Sequence, residues 1–99
     1  MDRYIILFSD DAENDFNSYI DYILYECKSP LTALRNYEEL AETINQLKIS
    51  PESFPIQPNL RYGFNVRRVN YKKMAIIYTV HGNVVYIHRI LASAMITEL

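Results

Sequence analysis

The 99-residue sequence has no tryptophan, one cysteine and two glycines, and these shortages exclude several classes of protein. A single cysteine, Cys27, cannot form an intramolecular disulfide bond, which fits a reducing cytoplasm. Because Cys27 falls on the apolar stripe of a predicted helix, we expect a structural thiol. No apolar run approaches the ~20 residues that a membrane-spanning helix needs. Residues 4–8 are too few for the core of a signal peptide, so we expect a cytoplasmic protein with no membrane contact.

Motifs that would hold a metal or a cofactor are also missing. The sequence contains no zinc-ligand spacing, no Gly-rich phosphate loop and no Ser/His/Asp order typical of nucleophilic catalysis. The adjacent acids Asp10 and Asp11 lie where a helix is predicted to begin, and Glu38 and Glu39 lie on a predicted helix surface. We therefore expect neither a metal site nor a cofactor.

What the sequence does contain is enough apolar material for one core, together with an uneven distribution of charge. Apolar residues make up 49% and charged residues 22%, as in an ordinary globular protein, and 99 residues form one domain over residues 1–99. Residues 1–53 carry four basic and eleven acidic side chains, a net charge of −7, whereas residues 54–99 carry six basic and one acidic, a net charge of +5. The basic half suits a polyanion or an acidic protein partner, although solvated acidic helix faces explain the same split.

The first half predicts a strand followed by two helices. Residues 3–8 are an apolar run typical of a strand that is buried on at least one face. Asp10 and Glu13 have the spacing of a capping box at the start of the first helix. The apolar stripe of this helix is formed by Phe16, Ile20, Ile23 and Cys27.

The second helix is predicted over residues 30–49, because Ser29 can cap it and Pro30 suits its first position. Its apolar stripe consists of Leu34, Tyr37, Ala41 and Ile44, with Leu40 and Leu47 widening it. The break between the two helices is short, so they should fold back on each other as an antiparallel hairpin.

The second half predicts an extended, Pro-rich connector over residues 50–60 and then three strands, at residues 62–69, 74–80 and 84–91. Turns at residues 70–73 and 81–83 would join these strands into an antiparallel meander. The predicted fold class is α+β: a two-helix antiparallel hairpin packed on one face of an antiparallel sheet of about four strands, with the first strand at its edge.

Several stretches in this order resemble the RelE/ParE superfamily of small bacterial toxins from type II toxin–antitoxin modules. They are residues 19–23, 40–47, 66–68, 71–80 and 84–90. The second half follows the family pattern of an arginine strand, a strand of the type apolar-apolar-Tyr-x-Val, a tight turn and a strand ending in Arg-apolar, here Arg89-Ile90. The ordered set covers most of the chain.

The resemblance implies a growth-inhibiting toxin of the plasmid-stabilisation type that a small cognate antitoxin neutralises. In the RelE branch such proteins cleave mRNA in the ribosome, whereas in the ParE branch they poison DNA gyrase and cut nothing. The cleaving branch draws its base, acid and cations from Lys or Glu on the first meander strand, Arg on the middle strand, and His, Arg or Tyr after the last strand.

Most of that nuclease set is not matched. The first strand of the meander offers Asn65, Val66 and Arg67, with neither Lys nor Glu. The middle strand has Ala75 or a neighbour where Arg would be expected, and residues 91–94 contain no basic side chain. The sequence therefore favours the ParE-like mode, in which the protein acts by binding and is not an enzyme.

His88 is the best remaining candidate for catalysis, since an unperturbed histidine titrates near neutral pH. Strand alternation places His88 on one face with Tyr86, and Arg89 on the other face with Ile87, unless a β-bulge intervenes. The alternative interpretation of His88 is a hydrogen-bonded residue of the sheet face. His81 is interpreted as part of a turn.

The basic residues of the second half are the candidates for contact with the target or with nucleic acid: Arg67, Arg68, Lys72, Lys73 and Arg89. Tyr62, Phe64 and Tyr71 could stack on bases. Alternation places Arg67 and Arg68 on opposite faces, and the alternative interpretation is a charged hairpin end that protects an exposed sheet edge.

The resemblance, with most of the nuclease residues unmatched, thus implies the toxin of a type II pair, with gyrase as its target and a cognate antitoxin as its partner in a possible hetero-oligomer. Two alternatives stay open. One is a ribosome-dependent mRNA endonuclease that uses His88 with Arg67 or Arg68. The other is a degenerate family member that binds its partner but is not toxic.

Overall fold

Two helices pack on one face of a four-stranded sheet, which confirms the predicted α+β class. The structure, a computed structural model, describes residues 3–26, 28–58, 62–63 and 65–98, with the backbone alone for residues 97 and 98. The predictions for Cys27 and Phe64 lie outside the described residues. The main elements are β1 (Ile5–Phe8), α1 (Asp10–Glu26), α2 (Pro30–Asn45), β2 (Arg67–Tyr71), β3 (Met74–His81) and β4 (Val84–Ala92). Short 3-10 helices cover Gln46–Lys48, Pro51–Ser53 and Ser93–Glu98.

The strands lie in the order β1-β4-β3-β2, so the first strand is at an edge, as predicted. β2, β3 and β4 pair antiparallel, but β1 runs parallel to β4, with Ile5 beside Val84 and Phe8 beside Ile87. The sheet is therefore mixed rather than wholly antiparallel. A parallel neighbour needs a long connection, which the two helices and the meander supply.

The start of α1 is capped one residue earlier than the sequence predicts. The backbone N–H of Ala12 donates to Oγ of Ser9 at 3.0 Å, and Asp10 is already the first helical residue. Oγ of Ser9 also donates to the carbonyl of His88 at 2.8 Å. Ser9 therefore replaces the expected capping box, because it is the first residue after β1 and can bond both to the helix and to β4.

The buried stripe of α2 is displaced from the predicted one. Ser29 caps the helix as expected, accepting a hydrogen bond from the N–H of Thr32 at 3.3 Å. The buried residues that follow are Ala33, Asn36, Leu40, Ile44 and Leu47, whereas Leu34 and Tyr37 are 54% and 49% exposed. A polar residue sits in the stripe because the hydroxyl of Tyr71 bonds to Oδ1 of Asn36 at 2.9 Å, and hydropathy alone cannot show that bond.

The first strand of the meander, β2, begins and ends later than predicted, at Arg67 and Tyr71 instead of residues 62 and 69. β2 extends to Tyr71, whose ring is buried, so the turn to β3 consists of Lys72 and Lys73 rather than residues 70–73. Lys72 has a φ of 53°, in the left-handed region that tight hairpin turns require. Gly82, in the turn between β3 and β4, has a φ of 60°.

Apolar side chains pack on both faces of the sheet. The face under the helices, here called the helix face, carries the larger cluster, with Leu40, Ile76 and Tyr78 at its centre. The opposite face, here called the far face, carries a smaller cluster of Val66, Ala75, Ile77 and Ile96, with Tyr62 packed against it. Within the described part of the chain, no helix is both long enough and apolar enough to cross a membrane.

The burial of α2 can be tested with two leucines of the same helix. Leu40→Ala should lower the free energy of unfolding by about 2–5 kcal/mol, because truncating a fully buried leucine leaves a cavity. Leu34→Ala is the matched control and should change stability by less than about 0.5 kcal/mol, since Leu34 is exposed. Urea unfolding followed by far-UV circular dichroism measures both; equal losses would contradict the burial pattern.

Candidate functional site

One extra residue in β4 decides which face of the sheet Arg89 takes. β3 and β4 pair Ile77 with Arg89. The next pair along the ladder is Tyr78 with Ile87, so His88 is left over as a β-bulge. Directly paired residues share a face, and Ile77 lies on the far face. The predicted alternation is therefore wrong for Arg89: it lies on the far face, while Ile87 packs under the helices.

His88 lies on the far face among aromatic and polar side chains. Its ring stacks on Tyr62 with the centroids 4.9 Å apart, and meets Tyr86 edge-on at the same distance. Its Nε2 is 2.8 Å from Oγ1 of Thr79, and Nε2 of His81 is 2.7 Å from that same oxygen. Burial, with a smaller contribution from His81, lowers the pKa of His88, so the ring is neutral near pH 7.

Both histidines bond to the single hydroxyl of Thr79. Thr79 can donate only one hydrogen bond, so one imidazole accepts that bond while the other donates its own N–H to the oxygen. His81 is the last residue of β3 and belongs to this cluster, although the sequence assigned it to a turn.

Arg89 is held by an ion pair at the part of the β4 edge that β1 leaves free. Its Nε and Nη2 donate to the two carboxylate oxygens of Asp15 on α1, at 2.8 and 3.1 Å. The same carboxylate accepts from the backbone N–H of Ile90 at 2.9 Å. The hydrogen bond that Arg89 donates to Asp15 is the main reason that the pKa of Arg89 is raised. The guanidinium is thus a fixed charge that joins α1 to the sheet.

Arg67 and Arg68 lie on opposite faces of the sheet, as alternation predicts. Arg67 is on the helix face, where its guanidinium donates to the carbonyls of Glu52 and Phe54 at 3.0 and 2.7 Å. It therefore holds the connector against β2. Arg68 is on the far face, and its Nε donates to Oδ1 of Asn70 at 2.8 Å.

The turn between β2 and β3 carries the two lysines. Nζ of Lys72 is 2.8 Å from Oδ1 of Asn36 and 3.6 Å from a carboxylate oxygen of Glu39, both on α2. The hydroxyl of Tyr71 donates to that carboxylate at 2.6 Å, and this bond is the main reason that the pKa of Glu39 is lowered. The side chain of Lys73 makes no hydrogen bond or ion pair with the described residues.

The predicted site residues therefore do not form one cluster. Lys72 and Lys73 come together at the turn. His88 and Arg67 do not come together, because the sheet lies between them. Arg89 shares the far face with His88, but its guanidinium is already occupied by the ion pair with α1.

A groove that the sequence did not indicate lies between the helical hairpin and the β2–β3 end of the sheet. We call it the hairpin groove; its volume is about 720 Å³. Apolar side chains from both layers line it, among them Ile23, Met74 and Leu91, and Lys72 and Lys73 line it from the turn. An apolar groove with lysines beside it suits an amphipathic segment that also carries acidic residues.

The joint between α1 and β4 can be tested at Asp15. Asp15→Ala should lower the free energy of unfolding by about 2–3 kcal/mol, because it leaves a part-buried guanidinium and the N–H of Ile90 without their acceptor. Asp15→Asn is the control and should cost clearly less, since its amide oxygen can still accept the backbone bond. Thermal and urea unfolding measure the difference, and identical stability of the two variants would contradict this role.

Comparison with known proteins agrees with this architecture. The family model described as the ParE toxin of the type II toxin–antitoxin system, parDE, matches residues 6–97. No curated protein sequence matches the chain significantly. Among solved structures, the "Chromosomal ParDE TA system from P. aeruginosa" is 18% identical with a TM-score of 0.72, and the match covers 91% of this chain and 96% of that one. At this identity the structural likeness shows the fold alone. The family match spans nearly the whole chain, and the protein therefore belongs to the ParE toxin family of type II toxin–antitoxin systems.

Proposed function

We propose that this ParE-family protein arrests growth in the cytoplasm by binding its target, with DNA gyrase as the target that the resemblance implies, and that a cognate antitoxin neutralises it. The observation that carries the binding mode is the separation of the residues that RNA cleavage would need. Cleavage without a metal requires a base, an acid and cations around one phosphate.

Arg68 shares the far face with His88, but its Nε donates to Oδ1 of Asn70, and the other two candidate arginines are held elsewhere. Arg67 lies across the sheet from His88 and is bound to backbone carbonyls of the connector. Arg89 is bound to Asp15. Without a free cation from either arginine beside the imidazole, the geometry supports a protein that acts through contact rather than through phosphodiester chemistry.

The contacts available to a target are fewer than the five predicted. The guanidinium groups of Arg67 and Arg89 each donate at least two hydrogen bonds within the chain, whereas Arg68 and Lys72 each donate one. The side chain of Lys72 is 54% exposed, Lys73 is also exposed, and Arg68 is partly exposed on the far face. We assign the target contact to these three residues, of which Lys73 has the least constrained side chain.

The antitoxin contact is assigned to the hairpin groove. An amphipathic segment can bury apolar side chains against the floor of such a groove while its acidic residues meet the lysines at the turn. A segment seated there would cover Lys72 and Lys73, which belong to the proposed target contact. Neutralisation would then follow from exclusion of the target.

Growth of a bacterial host tests the proposed function directly. Inducing this chain alone should arrest growth, and adding the small gene adjacent to its own should restore growth. His88→Gln should keep the arrest, because binding does not need the imidazole and the amide can still bond to Thr79. Immunoblots of the soluble fraction control for protein level.

Two further assays separate the alternatives. Purified protein should inhibit supercoiling by gyrase. Primer extension should show that ribosome-associated mRNA stays intact. Loss of both arrest and mRNA cleavage in soluble His88→Gln would replace the proposal with the endonuclease. Normal growth with abundant folded wild-type protein would favour the degenerate binder.

The groove assignment is tested by reversing a charge at each end of the sheet. Lys73→Glu should raise the antitoxin dissociation constant by about tenfold at low salt and by less at high salt, since a rim charge acts mainly through screened attraction. Arg3→Glu makes the same change in net charge at the opposite end of the sheet, beside the β3–β4 turn, and should leave binding unchanged. Titration calorimetry of the toxin with its antitoxin measures both; equal effects would contradict the groove assignment.

A further inference from the structure

The sequence contains two histidines, and both lie within hydrogen-bond distance of the same atom, Oγ1 of Thr79. His81 and Thr79 lie two residues apart on β3 and so share the far face, and His88 reaches them from β4. Both Nε2 atoms point at Oγ1 of Thr79, from 2.7 and 2.8 Å. The mechanism proposed for the toxin uses neither ring, so their convergence needs a separate explanation.

The convergence has the form of a two-nitrogen chelate. Because both Nε2 atoms are within hydrogen-bond distance of Oγ1 of Thr79, the two nitrogens face a common point. Metal–imidazole bonds are about 2.0–2.1 Å long, so a small inward movement of one ring would let both nitrogens bind a single ion beside the hydroxyl.

The two rings differ in a way that favours such binding. His88 is half-buried and its ring is fixed between Tyr62 and Tyr86, with centroid distances of 4.9 Å to each. His81 is exposed at the end of its strand and can rotate. One ligand is therefore pre-oriented while the other can adjust, and the exposed side leaves a path for an ion and its waters.

We propose that His81 and His88 bind one divalent transition-metal ion through their Nε2 atoms, with Zn²⁺ as the probe of choice. Imidazole nitrogen suits zinc, copper and nickel, whereas magnesium and calcium prefer carboxylate oxygens. Among the described residues no group of three His, Cys, Asp or Glu side chains gathers. The site therefore supplies two nitrogens, with Thr79 beside them, and water completes the coordination shell.

Calorimetric titration of the full chain, purified without a histidine tag, with zinc chloride tests the proposal. We expect one ion per chain with a micromolar dissociation constant, and no measurable binding of magnesium chloride. Nitrogen-15 NMR of the imidazoles should show that Nε2, rather than Nδ1, responds to zinc in both rings. Absence of zinc binding up to millimolar concentration would overturn the proposal.

Variants locate the site. His81→Asn and His88→Gln should each weaken zinc binding by at least about tenfold, since even indirect supports of a metal ligand are worth that much. Cys27→Ser should bind zinc as the wild type does, which removes the thiol as an explanation. Unchanged affinity in His81→Asn would overturn the proposal. That variant decides the matter even if His88→Gln fails to fold, because His81 is exposed and its replacement leaves the core intact.

Discussion

The register of β4 against β3 is the constraint on which the rest of the structure depends. Before the bulge, Val85 and Ile87 point under the helices, and after it Ile90 does. Without the extra residue, Ile90 would point to the far face and the charged Arg89 would be directed into the core. By inserting His88, the strand keeps an apolar helix face along its whole length and places a histidine and an arginine side by side on the other.

The position of α1 depends on the same β-bulge at His88. Beyond the end of β1, side chains rather than a strand bond to the edge of β4. The hydroxyl of Ser9 donates to the carbonyl of His88, and the carboxylate of Asp15 accepts from the N–H of Ile90. Asp15 reaches Arg89 because the bulge brings that side chain out of the core. One carboxylate therefore completes the sheet edge and neutralises the guanidinium at once, and the position of the helix follows from where the strand shifts.

The order of elements could be predicted from the sequence because its signals are local. Ser29 and Pro30 mark a helix start by chain chemistry alone, and Gly82 marks a turn by its tolerance of positive φ. The errors lie where a distant partner decides. Asn36 takes a core position because Tyr71 bonds to it, and the direction of β1 depends on which strand of the meander it meets.

The candidate site shows the same division. Counting charges found the basic half of the chain, but it could not show that Arg67 would bind the connector or that Arg89 would bind Asp15. Thr79 and His81 are two residues apart on one strand, and alternation alone places both side chains on the same face. His88 belongs to the next strand, which follows after a two-residue turn. The hairpin groove left no such pattern, since its walls come from segments that are distant in sequence.

The pairing of β1 with β4 also sets when the molecule can be finished during synthesis. Ser9 and His88 bond across 79 positions, so the first strand leaves the ribosome long before its neighbour exists. At ordinary elongation rates roughly 4 to 16 seconds separate the synthesis of these two residues, and during that time β1 lacks the strand with which it pairs. The hairpin groove needs Ile90, Leu91 and Ala92 for one of its walls. Any partner that recognises the complete groove therefore meets a chain that has been synthesised at least through Ala92.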